Sequence, residues 1–340
     1  MKEYKILVCR EPGELVYGSG ELEDLKPDHT LLKIKRIGIC GTDLHAFDGT
    51  QPYFTYPRVL GHELAAEVVL SSDPGMFKPE EEVTIMPYIN CGKCRACQDG
   101  KTNCCSGMKV LGVHIDGGMA EYLQVPTRLV IKGEGLSVDE LALVEPLAIG
   151  AHGIRRAGVS SGEYVLVIGA GPIGLGAMEF ARIAGARVIA LDINSRRLDF
   201  CRKRLKVAHT INAIEEDIVG RLREITNGDM PTVVVDATGS QKAINAAFQY
   251  MAHGARFILI GLQKGDVSFS HPEFHKREGT LMSSRNATFD DFAKVISEMR
   301  NKNIDPVNYI THRTSFEEVA TEFPTWLDPE RGVIKAMISL

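Results

Sequence analysis

The stretch VLVIGAGPIGLGA, residues 165–177, decides how the middle of this chain folds. An apolar run that suits a buried strand leads into Gly169, Gly171 and Gly174, and a segment with helical periodicity follows. In a strand–turn–helix unit, such glycines permit a tight turn, a close approach of the backbone to a diphosphate, and packing of the helix on the strand. The helix N-terminus then presents unpaired N–H groups to the anion. The stretch therefore predicts the phosphate-binding turn of a dinucleotide site.

The next strand, RVIALD, indicates which dinucleotide binds. It ends at Asp192, whose carboxylate can accept hydrogen bonds from the adenosine ribose hydroxyls of NAD. Arg196 and Arg197 could instead contact the 2′-phosphate of NADP, but Asp192 would repel that phosphate, so NAD is favoured. We expect further cofactor contacts beside the loop and at the end of a later strand, from Pro172, Ile173, Arg197, Ile260, Gly261 and Leu262.

The pattern of apolar and turn-forming residues differs between regions of the chain. Between about 155 and 287, apolar strands such as TVVVDAT alternate with helical segments, which is typical of a parallel sheet covered by helices. The first 150 or so residues hold short apolar runs broken by Gly and Pro, which favour β-strands joined by loops. The final apolar run, GVIKAMISL, could return to that first region. We predict a two-domain α/β fold, with segments 1–152, 153–287 and 288–340.

Composition narrows the possible partners. Hydrophobic residues make up 44% and charged residues 24% of the 340 positions, as in ordinary globular proteins. A net charge of −5 without a long Lys/Arg run argues against nucleic acid or an anionic membrane as the main partner. The sequence lacks a signal-peptide pattern and any apolar run near the roughly 20 residues of a membrane span. We expect a cytoplasmic protein, whose thiols stay reduced.

Five of the eight cysteines fall within CGKCRACQDGKTNCC. Four of them follow the pattern C-x2-C-x2-C-x7-C, which lets four thiolates surround one tetrahedral Zn²⁺. Cys104 competes with Cys105 as the fourth ligand, and the spacing favours Cys105. A closed site of this kind has no open coordination position, so it predicts a zinc that orders a loop. The predicted ligands are Cys91, Cys94, Cys97 and Cys105.

A second group of metal-ligand residue types is spread over three stretches. Cys40 ends the apolar run TLLKIKRIGIC, and His62 and Glu63 follow a glycine in RVLGHELAAEV. Glu145 lies within the apolar LVEPLAIG, where a carboxylate needs a partner or a cation because burying it alone is unfavourable. One thiolate, one imidazole and one or two carboxylates make a plausible catalytic zinc site with an open position.

The motifs CGTDLH, GHE, the cysteine loop, VEPLAIG and GAGPIG occur in this order. In that combination the chain resembles the zinc-dependent medium-chain dehydrogenase/reductase family over essentially its whole length. The resemblance implies a GroES-like, β-rich catalytic domain that carries both zincs. It also implies a Rossmann domain, a doubly wound parallel sheet, inserted before a C-terminal return. Two zincs per chain, NAD and a homo-oligomer, either a dimer or a tetramer, are the further expectations.

The resemblance also implies roles for the metal ligands. Cys40, His62 and Glu145 match ligands of the catalytic zinc, and the four cysteines match those of the structural zinc. Glu63 matches a carboxylate beside the metal that ligates directly or through water. Which of the two glutamates is the resting ligand stays open.

The proton path is implied in the same way. Thr42 matches the hydroxyl that hydrogen-bonds the substrate oxygen, and His45 matches the outer end of a proton relay. Asp43 resembles a carboxylate that orients His62. The implied reaction is the NAD-linked oxidation of a secondary hydroxyl to a ketone.

Because position 145 is Glu and not Cys, the chain resembles the polyol branch of the family. Longer stretches, among them GVHIDGG, look closest to bacterial sugar-acid dehydrogenases that oxidise L-galactonate or L-gulonate at C5. L-threonine, sorbitol and L-idonate are alternative substrates of the same site, and a non-catalytic, zinc-stabilised NAD-binding protein is an alternative of another class. A sugar acid needs a cationic anchor for its carboxylate, and the candidates are Arg58, Arg285, His114, His275 and Lys276.

Overall fold

Residues 3–52 and 54–340 are described by a computed structural model, in which the chain divides into two units. One unit runs to Glu145 and resumes at Thr288, and the other spans Pro146–Ala287. The first boundary lies at Glu145 and not at the expected position 152. It falls inside the helix Val144–Ala157, and a continuous helix has no loop composition that would mark the boundary in the sequence.

The first unit opens with antiparallel strands joined by short helices. Its strands are β1 (Glu3–Glu11), β2 (Glu14–Glu21), β3 (His29–Ile39), β4 (Arg58–Val59), β5 (Glu63–Ser71), β6 (Glu82–Ile85), β7 (Tyr88–Ile89), β8 (Lys109–Val110), β9 (Tyr122–Pro126) and β10 (Val130–Lys132). Its helices up to this point are α1 (Gly41–Phe47), α2 (Arg95–Gln98) and α3 (Val138–Leu141). Both β5 and β9 pair with β3, so β3 is the organising strand.

Strand β3 also forms much of the core of this unit. Thr30, Leu32 and Ile34 are buried in the alternation expected of a strand with one covered face. A register shift against β5 between Ile34 and Arg36 then moves the buried set to Ile37 and the residues that follow it. Such a bulge turns the side chains of a strand by one position. The end of β3, just before Cys40, is therefore buried.

The second unit is a parallel sheet whose strands alternate with helices. Its strands are β11 (Tyr164–Ile168), β12 (Arg187–Asp192), β13 (His209–Asn212), β14 (Val233–Asp236), β15 (Arg256–Leu259) and β16 (Thr280–Ser283). The helices are α4 (Val144–Ala157), which begins in the first unit, α5 (Pro172–Ile183), α6 (Ser195–Lys203), α7 (Ile218–Ile225), α8 (Gln241–Ala247) and α9 (His271–Lys276).

The strand order in this sheet is β13-β12-β11-β14-β15-β16, and every neighbouring pair is parallel. Leu166, Ile189 and Val234, on three neighbouring strands, are buried in one cluster. This is the doubly wound order, in which ligands bind where the order reverses, here between β11 and β14. The predicted two-domain α/β fold with a Rossmann sheet is confirmed.

The chain then returns to the first unit. This segment contains α10 (Phe289–Arg300), β17 (Ile310–Ser315), α11 (Val319–Glu322) and β18 (Lys335–Ser339). Strand β18 pairs antiparallel with β3, with Ala336 opposite Ile39. That register brings Lys335 to the end of β3 that precedes Cys40. In the described part of the chain, no helix is long and apolar enough to cross a membrane.

Candidate metal and cofactor sites

Within the described part of the chain, two groups of ligand side chains are close enough to hold a metal ion. The first is the cysteine loop, where the four sulfur atoms all lie within 4.8 Å of one another. The short helix α2 begins after Cys94, and Cys97 lies on it, so one turn of backbone sets these two sulfurs, and Cys91 precedes the helix. A 3₁₀ turn, Thr102–Cys104, then leads to Cys105. The set contains the buried Cys105 and not its exposed neighbour Cys104.

Hydrogen-bond donors already surround these sulfurs. The backbone N–H of Cys91 donates to Sγ of Cys105 at 3.2 Å, and the side-chain amide of Asn90 donates to Sγ of Cys97 at 3.6 Å. Backbone N–H groups of Cys97 and Ser106 lower the pKa of the Cys94 thiol to about 5. These donors favour the thiolate at Cys94, the form that binds zinc, whereas burial and the Cys91 side chain raise the pKa of the Cys105 thiol to about 11.

The second group consists of Cys40, His62 and Glu63, whose ligand atoms also lie within 4.8 Å of one another. The register of the sheet explains why they meet. Cys40 follows the last residue of β3, His62 precedes the first residue of β5, and these antiparallel strands pair Gly38 with Glu63. A Cβ at Gly38 would lie 2.2 Å from a carboxylate oxygen of Glu63, so only glycine leaves room for that side chain.

Asp43 holds two members of this group in place. It is fully buried in α1, where one carboxylate oxygen accepts the backbone N–H of Cys40 at 2.9 Å. The other lies 3.6 Å from Nδ1 of His62, a buried nitrogen that makes no hydrogen bond. Burial alone would lower the pKa of His62, but the charges of Asp43 and Cys40 outweigh it and raise that pKa. The same negative charges attract a cation, and a thiolate, an imidazole and a carboxylate suit Zn²⁺.

Glu145 lies outside this close set. It is the second residue of α4, it is buried, and the hydroxyl of Tyr88 donates to its carboxylate. Burial raises the pKa of Glu145 to about 7. The structure thus groups Glu63 with Cys40 and His62, while Glu145 lies near enough to His62 for each charge to shift the pKa of the other.

Lys335, like Tyr88, is a residue near this site that the sequence did not reveal. Its Nζ donates to both carboxylate oxygens of Glu63, at 2.7 and 2.5 Å, and to the carbonyl oxygen of Ile39 at 2.9 Å. Its side chain is 1% exposed. One signal was available, since Lys335 is a single charge within the otherwise apolar run GVIKAMISL, but nothing local identifies its partner.

The two residues expected to carry the proton lie on α1. Thr42 and His45 are three positions apart, so they share a face of the helix. The His45 side chain is 63% exposed, which suits the outer end of a proton path. Its Nδ1 lies 2.9 Å from Oγ1 of Thr50.

The glycine turn has the backbone geometry that dinucleotide binding requires. Gly169 has a φ of +97°, in the region that favours glycine. A Cβ at Gly174 would lie 1.8 Å from the carbonyl oxygen of Gly169, so any side chain there would break the turn. Helix α5 begins with Pro172, followed by Ile173, directly after Gly171.

Asp192 ends β12 and faces this turn. Its carboxylate accepts the backbone N–H of Ala170 at 2.6 Å and that of Asn194 at 2.8 Å. Ionised carboxylates have about four acceptor positions, so two remain for ribose hydroxyls. The Arg197 guanidinium lies 3.8 Å from the position of a Cβ on Gly171, beside the same loop. The remaining cofactor candidates, Ile260, Gly261 and Leu262, follow β15, and the first two donate N–H bonds to the carbonyl of Asp236 at the end of β14.

The candidates for a carboxylate anchor have varied surroundings. Arg58 donates to Asp116 and to Thr55, each at 3.2 Å, so a substrate carboxylate would have to compete with Asp116. His114 is exposed and accepts the backbone N–H of Val110. Arg285 is exposed, and the other two candidates, His275 and Lys276, lie on α9. Their roles stay predictions.

Comparison with known proteins identifies the class. Residues 26–135 match the alcohol dehydrogenase GroES-like domain, and residues 172–301 match the zinc-binding dehydrogenase family. The chain belongs to the zinc-dependent medium-chain dehydrogenases, and it is an oxidoreductase, as predicted. It is 42% identical to L-galactonate-5-dehydrogenase of Escherichia coli K12 over 340 residues, which cover all of both chains.

Solved structures agree with this placement. An Escherichia coli oxidoreductase of unknown specificity superposes with a TM-score of 0.94 at 27% identity, over 99% of both chains. The alcohol dehydrogenase RspB from Escherichia coli CFT073, complexed with NADH, superposes with a TM-score of 0.92 at 27% identity over the whole of both chains. The predicted zinc and NAD(P) cofactors agree with the family and with these structures.

Proposed function

We propose that the chain oxidises a secondary hydroxyl of a sugar acid to a ketone, with L-galactonate or L-gulonate oxidised at C5 and NAD as the hydride acceptor. The identity of 42% to L-galactonate-5-dehydrogenase across both full lengths is the observation that carries the substrate. The product pair is a keto acid and NADH, with one proton released. We further propose that the enzyme acts in the cytoplasm as a dimer or tetramer.

Two zinc ions per chain fit the two groups of ligands. Cys40 and His62, with Glu63 or Glu145 as the carboxylate, would hold the catalytic ion and leave a position for substrate. The four cysteines of the loop would hold the other ion and keep the loop ordered. Reduced thiols are required at both sites, which is consistent with a cytoplasmic protein.

The chain's own residues handle the proton and orient the ligands. In this proposal Thr42 receives the proton of the substrate hydroxyl. His45, on the same face of α1, then passes that proton towards solvent. Asp43, whose carboxylate lies 3.6 Å from Nδ1 of His62, would orient the His62 ring. When bound, zinc lowers the pKa of a hydroxyl and the nicotinamide accepts hydride. Asp192 supports the choice of NAD, because its charge opposes a 2′-phosphate.

A substrate panel tests the proposal. NADH formation would be followed for L-galactonate, L-gulonate, L-idonate, sorbitol and L-threonine at equal enzyme and NAD concentrations. We expect the highest kcat/KM with L-galactonate or L-gulonate, and no activity with any substrate after removal of zinc. A higher kcat/KM with L-threonine or sorbitol would reject the sugar-acid assignment. Tight NAD binding without turnover of any substrate would favour the non-catalytic alternative.

A further inference from the structure

Beyond His45, the structure contains two polar side chains to which the proposed function gives no role. Oγ1 of Thr50 lies 2.9 Å from Nδ1 of His45 and 2.5 Å from Oδ1 of Asp48. The three side chains therefore form a chain of hydrogen bonds that ends on a carboxylate. Asp48 and Thr50 follow α1 in a tight reversal, in which Gly49 has a φ of +78° and the backbone N–H of Thr50 donates to the carbonyl of His45.

Backbone contacts keep this arrangement in register. The backbone N–H of Thr50 also donates to Oδ1 of Asp48, at 2.9 Å. The same carboxylate has its other oxygen 3.7 Å from Nδ1 of His45. The carboxylate of Asp48 therefore lies beside the imidazole of His45. The backbone N–H of Thr50 holds this carboxylate, and the same residue supplies the hydroxyl.

The hydrogens available to this chain of hydrogen bonds determine which nitrogen of the His45 ring is protonated. A threonine hydroxyl has one hydrogen to donate, and an ionised carboxylate can only accept. The hydroxyl of Thr50 therefore donates to Asp48, and its oxygen is left to accept a hydrogen from His45. The neutral ring must then carry its proton on Nδ1, which leaves the lone pair on Nε2 free.

We infer that Thr50 and Asp48 are positioning residues that hold His45 with Nδ1 protonated and Nε2 ready to accept the proton of the oxidised alcohol. The inference rests on the role of His45 in the proposed function. Nε2 takes the proton and the ring becomes a cation, which Asp48 stabilises. The exposed ring then releases one proton to water and returns to its starting form, so the cycle balances.

A double-mutant cycle measures whether Thr50 acts through His45. Thr50→Val removes the hydroxyl and keeps the shape, so we expect kcat to fall about 3- to 10-fold with little change in KM. His45→Gln should lower kcat by about 10- to 100-fold. Adding Thr50→Val to His45→Gln should cause no further loss, because the group it positions is gone. Thr50→Ser restores the hydroxyl and should recover most of the activity.

Thr321→Val serves as the matched control, since it makes the same atomic change at an exposed position of α11. If Thr50→Val lowers kcat equally with and without His45, its effect is structural and the inference is wrong. If His45→Gln lowers kcat but Thr50→Val does not, the inference fails and the proposed relay stands. If His45→Gln has no effect, the relay fails and the inference fails with it.

A second measurement reads the proton directly and needs no variant of Thr50. Nitrogen NMR of the unsubstituted protein with labelled histidine reports which ring nitrogen carries the proton, and the signal that disappears in His45→Gln identifies the residue. We expect a protonated Nδ1 and an unprotonated Nε2 for His45. A proton on Nε2 would overturn the inference.

Discussion

Lys335 and Glu63 form an ion pair whose side chains are 1% and 0% exposed. Removing one partner of such a pair is strongly destabilising, because the other charge is left buried and uncompensated. We expect Lys335→Met to lower the free energy of unfolding by about 3–5 kcal/mol for this reason. Urea unfolding at neutral pH would measure the loss.

Two comparisons separate the lost charge from lost packing. Lys276→Met breaks an exposed pair with Glu273 and should change the free energy of unfolding by less than about 1 kcal/mol. Adding Glu63→Gln to Lys335→Met removes the stranded charge and should restore part of the stability. If Lys335→Met is as stable as the unsubstituted chain, Glu63 does not depend on this lysine.

Asp192 is the residue that should decide between the two dinucleotides. We expect Asp192→Ser to lower kcat/KM for NAD by about 10- to 100-fold, since hydrogen bonds from the ribose to a charged group are lost. The loss for NADP should be smaller, because a repulsion disappears at the same time. Asp199→Ser, an exposed carboxylate on α6, is the control. Equal losses for both cofactors would mean that Asp192 only supports the glycine loop.

The cysteine loop should depend on its metal, because it contains little regular structure beyond α2 and a 3₁₀ turn. We expect Cys94→Ser to lose one of two zinc ions per chain and to make the loop sensitive to protease. Cys40→Ser should lose the other ion and leave the loop resistant. Elemental analysis and limited proteolysis together test this, and a full zinc content in either variant would contradict the assignment.

Asp139 joins three elements of the first unit. It lies on α3 and accepts hydrogen bonds from Arg36 of β3 at 2.7 Å and from Arg313 of β17 at 2.6 Å. Burial raises the pKa of Asp139, but the two guanidinium groups outweigh burial and lower it overall. A carboxyl whose pKa is lowered by folding adds stability above its unfolded value of about 3.9, and that stability is lost as the pH falls through the folded value.

We therefore expect Asp139→Asn to lower the free energy of unfolding by about 1–2 kcal/mol at neutral pH. The difference from the unsubstituted chain should shrink as the pH falls below about 4. Urea unfolding over that range would measure it, with the exposed Asp24→Asn as the control. A difference that stays constant with pH would show that the charge of Asp139 is not its source.

At the scale of elements, the strands and helices follow from local pattern, but their register does not. The run TLLKIKRIGIC indicates a strand, and β3 is one. The shift between Ile34 and Arg36 depends on what β5 offers on the neighbouring strand, so alternation within β3 cannot reveal it. That shift decides which residues are buried just before Cys40.

For the whole molecule, the sequence predicts best where one short segment contains all the partners. The glycine turn and the four cysteines are of this kind. The grouping of Glu63 with Lys335, and of Glu145 with Tyr88, joins residues 272 and 57 positions apart. Only the pairing of β18 with β3 and the placement of α4 bring them together, and no spacing rule encodes those contacts.

The distance between Glu63 and Lys335 along the chain also orders events during synthesis. Glu63 leaves the ribosome 272 residues before Lys335. At about 5–20 residues per second, this interval is on the order of 15–50 s. During this interval the nascent chain contains Glu63 but not Lys335, and the residues of the inserted parallel sheet are synthesised. The ion pair between Glu63 and Lys335 can therefore form only after the inserted sheet has been synthesised, and a chain truncated before β18 cannot form it.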